Sequence, residues 1–170
     1  MADDSTEETL LDRMMTLVRT TLDEEYGPDG YHQWGERAFM RVEAGAVIFL
    51  VGSPMGADAL LNVRCYPVRD VERPDADLGE YLARLNADQL FGGFSIDEDS
   101  DVCFDYSMLG SAVTAEAVHL AVEVVARAST MYAQEIISRW GGVTSLDKLR
   151  QELDLQQRAP AGRPDDGTLN

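Results

Sequence analysis

The sequence predicts an α+β domain in which an antiparallel sheet packs on helices. Apolar residues recur at helical intervals near both ends, and the middle alternates in strand fashion. Its first two strand-like stretches are joined by Ala44-Gly45, the two-residue link of a hairpin. With 170 residues, the chain can bury about 70 % of the surface it exposes when unfolded, enough for one core without disulfide or metal staples. The organisation read from the residues is a disordered terminus over 1–5, a domain over 6–142, a C-terminal helix over 143–155, and a polar, disordered tail over 156–170.

The elements follow in order. Ser5 and Glu8 have capping-box spacing, and Leu10, Leu11, Met14, Leu17, Val18 and Leu22 make the apolar stripe of a helix from Thr6 to Glu25. It ends on Asp23-Glu24-Glu25, charges of the wrong sign for that end of a helix dipole. Gly27-Pro28-Asp29-Gly30 breaks the chain, and Tyr31, His32 and Trp34 fall in a loop. In the hairpin of Arg37–Glu43 with Ala46–Val51, Glu43 opposes Ala46, so Val42 meets Val47, Met40 meets Phe49 and Ala38 meets Val51 on a wholly apolar face. Arg41 with Ile48, and Phe39 with Leu50, make the other, mixed face.

After a loop over 52–58, a strand from Ala59 to Tyr66 puts Leu61, Val63 and Cys65 toward the core, and Leu60, Asn62, Arg64 and Tyr66 away from it. The charged run 67–77 reads as a loop. Asp77 and Glu80 cap a short helix carrying Leu78, Tyr81, Leu82 and Leu85, closed by Gly92-Gly93. A second hairpin joins Phe94–Ile96 to Val102–Met108 through an acidic turn. Thr114 caps a helix that runs to Trp140, about 40 Å at 1.5 Å per residue, long enough to leave surplus length for a second subunit.

Charge and composition exclude several classes. With 31 acidic against 14 basic residues, the net charge is −17, which repels a phosphate backbone, so no nucleic-acid partner is expected. The longest aliphatic and aromatic run, Val47–Val51, is far shorter than the roughly 20 residues that span a bilayer, so no membrane partner is expected either. The acidic start Met1-Ala2-Asp3-Asp4 lacks the positive region of an export signal, which points to the cytoplasm. Cys65 and Cys103, each in an apolar stretch, read as buried free thiols of a reducing compartment.

The search for chemistry yields no catalytic residue, no metal ligand set and no cofactor motif. Asp97, Asp99 and Asp101 begin like a calcium-binding loop, but the required glycine and glutamate are replaced by Val102 and Met108. Ser145 and Lys148 have the S-x-x-K spacing of some acyl-transfer enzymes without the companion motifs, and a helix cap accounts for Thr144 or Ser145. His119, at the start of a long apolar face, reads as structural. His32, between Tyr31 and Trp34, packs on its loop or lines a small pocket.

Leu85-Asn86, Gly93-Phe94-Ser95-Ile96, the acidic turn, Val102-Cys103-Phe104-Asp105-Tyr106, then Val113-Thr114-Ala115-Glu116 and the long helix resemble the YbjN-like family, over about residues 6–140. The resemblance implies a type III secretion chaperone-like fold, helix-β-β-β-helix-β-β-helix. It also implies a non-enzymatic, often dimeric protein that binds a peptide or acts as a regulator. On that reading Phe39, Arg41, Ile48, Leu50, Asn62, Arg64 and Tyr66 form one apolar patch edged by two arginines, suited to a segment of a partner protein. Covering by a second copy or by the chain's own loops is the alternative for that patch. For the whole chain the alternatives are a small-molecule or metal-responsive sensor, or a structural subunit of a larger assembly.

Overall fold

In the computed structural model, which describes residues 9–158, one helix is followed by four strands, a second helix, two more strands and two final helices. The strands are β1 (His32–Trp34), β2 (Ala38–Glu43), β3 (Ala46–Met55), β4 (Asp58–Val68), β5 (Gly93–Ile96) and β6 (Val102–Leu109). Their order in the one sheet is β1-β2-β3-β4-β6-β5, with every neighbouring pair antiparallel. The helices are α1 (Leu10–Tyr26), α2 (Ala76–Ala87), α3 (Ala115–Trp140) and α4 (Ser145–Arg158). The termini expected to be disordered, 1–5 and most of the tail, lie outside the described residues, as do Ser5 and Glu8.

Helix α1 starts later than the capping-box spacing of Ser5 and Glu8 suggested. Thr9 Oγ1 accepts from Asp12 N at 3.2 Å and Thr9 N donates to Asp12 Oδ2 at 3.2 Å, a complete reciprocal cap one turn further on. Helix α2 is likewise capped by Asp75, which accepts from Leu78 N at 3.1 Å, rather than by Asp77. Thr114 caps α3 as expected, accepting from Ala117 N at 3.1 Å. Thr144 accepts from Asp147 N at 3.1 Å at the start of α4, which carries residues 156–158 of the expected tail in its last turn.

The first hairpin has the six pairs read from the sequence, Glu43↔Ala46 through Ala38↔Val51. Its turn holds Ala44 at φ 49° and Gly45 at φ 86°, the double left-handed geometry that matches the twist of the flanking strands. Three stretches taken for loop are strand, among them residues 67–68, which close β4. Residues 32–34 add β1 at the edge, and residues 52–55 prolong β3 to a turn at Gly56-Ala57. There β2 has already ended, so Pro54, with no N–H to offer, sits where one side of β3 has no strand partner.

Helices α1 and α3 lie on one face of the sheet and bury Leu11, Met14, Met15, Val18 and Leu22 together with Val118, Val122, Val125 and Ile136 against it. Gly52 fixes how close α1 comes: a Cβ there would fall 2.2 Å from Met15 Sδ. The opposed sheet residues are Phe39, Ile48, Leu50, Leu61, Val63, Cys65 and Phe104, all 0 % exposed. Helix α2 packs beside β5, and its capping Asp75 Oδ1 also accepts from Trp140 Nε1 at 3.1 Å, tying the start of α2 to the end of α3.

Candidate functional site

Directly opposed residues of an antiparallel ladder share a face, so the register sorts every sheet side chain. Phe39↔Leu50↔Val63↔Tyr106 and Arg41↔Ile48↔Cys65↔Phe104 belong to the helix-covered face. Met40↔Phe49↔Arg64↔Asp105 and Val51↔Asn62↔Ser107 belong to the other. The seven residues expected to make one patch are therefore divided. Asn62, Arg64 and Tyr66 stand on the open face, whereas Phe39, Ile48 and Leu50 are core.

Arg41 also turns inward. Its guanidinium lies 3.2 Å from the Tyr26 ring centroid, Nη1 donates to Gly30 O at 2.9 Å, and Nε donates to Glu43 Oε2 at 2.9 Å. With every direction of that fork engaged, Arg41 fastens the end of α1 to the hairpin and offers nothing to a partner. The wholly apolar hairpin face, Ala38, Met40, Val42, Val47, Phe49 and Val51, on which hydrophobicity would place the core, is the one turned away from α1 and α3.

The open face carries an aromatic strip that the residue patterns did not single out. Trp34 stacks on Phe49 with centroids 6.0 Å apart and an 11° interplanar angle, and Phe49 meets Tyr66 edge-on at 5.9 Å. Trp34, Val42 and Val51 are 46 %, 43 % and 40 % exposed, so one end of the strip and its flank face solvent, while Phe49 and Tyr66 are part-buried. Next to it runs a polar ladder. Arg64 grips Asp105 with two bonds, Nε to Oδ1 at 2.6 Å and Nη2 to Oδ2 at 3.1 Å, while Asn62 Nδ2 donates to Asp105 Oδ1 at 3.0 Å and Ser107 Oγ at 2.9 Å. The hydrogen bonds it donates to Asp105 hold the Arg64 guanidinium even more firmly protonated than usual.

Helix α4 covers one corner of this face. Val47 is 3 % exposed there although its cross-strand partner Val42 is largely open, and a gap of about 200 Å³ between α4 and the strands is lined by Trp34, Met40, Phe49 and Leu149. A second apolar zone lies on the outer side of α3, where Leu120 and Met131 are 45 % and 55 % exposed and a groove of about 420 Å³ runs between α3 and the exposed Leu90 and Phe91.

The other candidates have structural occupations. Asp97 Oδ1 accepts from the N–H groups of Asp99 at 3.0 Å and Asp101 at 2.9 Å, shaping the acidic turn, and Asp101, 2 % exposed, takes the Arg69 guanidinium. Lys148 Nζ is 2.6 Å from Asp70 Oδ2 rather than turned to Ser145. His119, read as structural, is half-exposed, 3.7 Å from Glu25 at the acidic end of α1. Tyr31 points to the helix side, its ring 5.5 Å from Phe39, while His32 and Trp34 alternate to the open side, so the three line no common pocket. Cys65 and Cys103 are buried and free, and burial pushes both thiols up to about 12.

A family model described as "T3SS (YopN, CesT) and YbjN peptide-binding chaperone 1", TY-Chap1, matches residues 12–148. The chain belongs to this family. The TY-Chap1 match spans every strand and ends at Lys148, one turn into α4. The α+β architecture, with helices on one side of an antiparallel sheet, agrees with the type III secretion chaperone-like fold. A comparison with curated proteins finds no match. Among the described residues no helix is long and apolar enough to cross a membrane.

Proposed function

We propose that this TY-Chap1 chain is a non-enzymatic, chaperone-like or regulatory protein of the cytoplasm that holds a segment of a partner protein on the open face of its sheet. The observation that carries this reading is the part-exposed Trp34-Phe49-Tyr66 strip flanked by exposed Val42 and Val51, aromatic and aliphatic surface that no helix covers along most of its length, on a sheet whose opposite face holds the core. Asn62, Arg64 and Tyr66 from the sequence-based set remain in the proposed site, joined by Trp34, Met40, Val42, Phe49 and Val51. Large rigid aromatic rings supply contact area at little cost in side-chain freedom, which suits a surface that accepts a segment of a foreign chain.

Replacing Phe49 and Tyr66 with serine tests the reading. Neither is a core residue, so the melting temperature should fall by only a few degrees, while binding to an array of peptides should weaken about tenfold or more. Peptide capture unchanged in a folded double variant would remove the open face from consideration. The working form is proposed to be a homodimer joined along the outer side of α3.

A further inference from the structure

Helix α4 leaves α3 through Gly141 and Gly142, at φ 80° and 101°, and crosses onto the face where the partner segment is proposed to bind. Its hold there is uneven. At the near end the backbones of Arg69 and Val143 bond in both directions, at 2.8 and 2.9 Å, and Lys148 reaches Asp70 in an exposed ion pair. The next residue, Leu149, is only part-buried and lines with Val47 the gap beside Trp34, Met40 and Phe49. Beyond Glu152 the helix has left the sheet, with Leu153 and Leu155 47 % and 67 % exposed. Ser145 is buried at the root, but beyond it α4 shields Val47 with part-buried Leu149 and a solvent-screened ion pair, so its outer part is held weakly while the backbone bridge at Val143 keeps the root in place.

We propose that α4 is a tethered competitor for the client face: it shields the Val47 end of the aromatic strip when no client is bound and swings away about its root when a client segment takes that place. This rests on the open face being the client site. Competition of this kind lowers the apparent affinity for any client that needs the Val47 end by the fraction of molecules in which α4 is docked, and a client that engages Trp34 and Phe49 but not Val47 escapes it. The cover thus weighs most on segments long enough to reach across the whole strip.

The test uses three full-length chains and a fluorescent, uncharged peptide of alternating threonine and phenylalanine, with affinity read by anisotropy. They are the unaltered protein; a release variant, Asp70→Asn with Lys148→Gln and Leu149→Ser, which keeps the net charge at −17; and the release variant with Phe49→Ser added. Circular dichroism confirms that each is folded. Affinity about tenfold higher in the release variant, and lost again when Phe49→Ser is added, is the expected result. Equal affinity in the first two chains with loss in the third overturns the competitor role and leaves the client face standing. Binding indifferent to Phe49→Ser, or no binding by any of the three, overturns both.

Discussion

Ile48 and Leu50 have no exposed surface and sit beneath α1 and α3, so changing either to serine exchanges a packed side chain for a cavity and a hydroxyl without a partner. Each substitution should cost about 3–5 kcal/mol. Domain stabilities are about 5–15 kcal/mol, so the double variant should lose its cooperative melting transition altogether. Phe49, one position away, should behave in the opposite manner because its ring is on the open side. The pairing Met40↔Phe49 was legible in the sequence, but which face was core was not. One face of the hairpin reads as uniformly apolar and the other contains Arg41, so hydrophobicity alone favours the wrong side. Arg41 is tolerated inward because the Tyr26 ring, Gly30 O and Glu43 take its guanidinium, and those partners come from segments whose approach a local pattern does not encode. Gly52 was the available clue: it shares a face with Ile48 and Leu50 and lacks a side chain where α1 comes closest.

At the scale of elements, the β2–β3 turn is close to its best geometry except at Ala44, where φ of 49° brings Cβ against the following carbonyl. Ala44→Gly should therefore stabilise the protein by about 0.5–1 kcal/mol, raising its denaturation midpoint without changing the slope of the transition. A midpoint that stays put or falls would mean that the added freedom of the unfolded chain offsets the relieved strain. The helices were readable because period and cap chemistry agreed, as at Thr114, and cap position slipped where two acceptors lay near one another, as with Asp75 and Asp77. Residues 52–55 and β1 were not readable as strand. Pro54 argues against strand locally, and the three residues of β1 are too few to show alternation; in both places tertiary pairing decides.

At the scale of the molecule, the outward stripe of α3, with Leu120, Val124 and Met131 spaced four and seven residues apart, suits an antiparallel copy of itself better than bulk solvent. Glu123 and Arg127, four residues apart on the same side, would each meet the other kind of charge across a twofold axis. Contact of that sort is needed to offset repulsion between two chains that each carry −17. Sedimentation equilibrium should give twice the chain mass at micromolar concentration, and Met131→Glu should return it to the chain mass with little change in melting temperature. A single-chain mass for the unaltered protein would refute the dimer and leave the sheet face unaffected.

Trp34 and Trp140 are the molecule's two tryptophans, and they occupy opposite environments. The indole of Trp140 is 3 % exposed and fixed to Asp75, whereas that of Trp34 is nearly half in water against Phe49. Emission from the first is tuned by the integrity of the interior and from the second by whatever lies across the strands. The protein thus carries two native optical probes, and the Trp34→Phe and Trp140→Phe chains would separate loss of fold from occupation of the sheet without any dye.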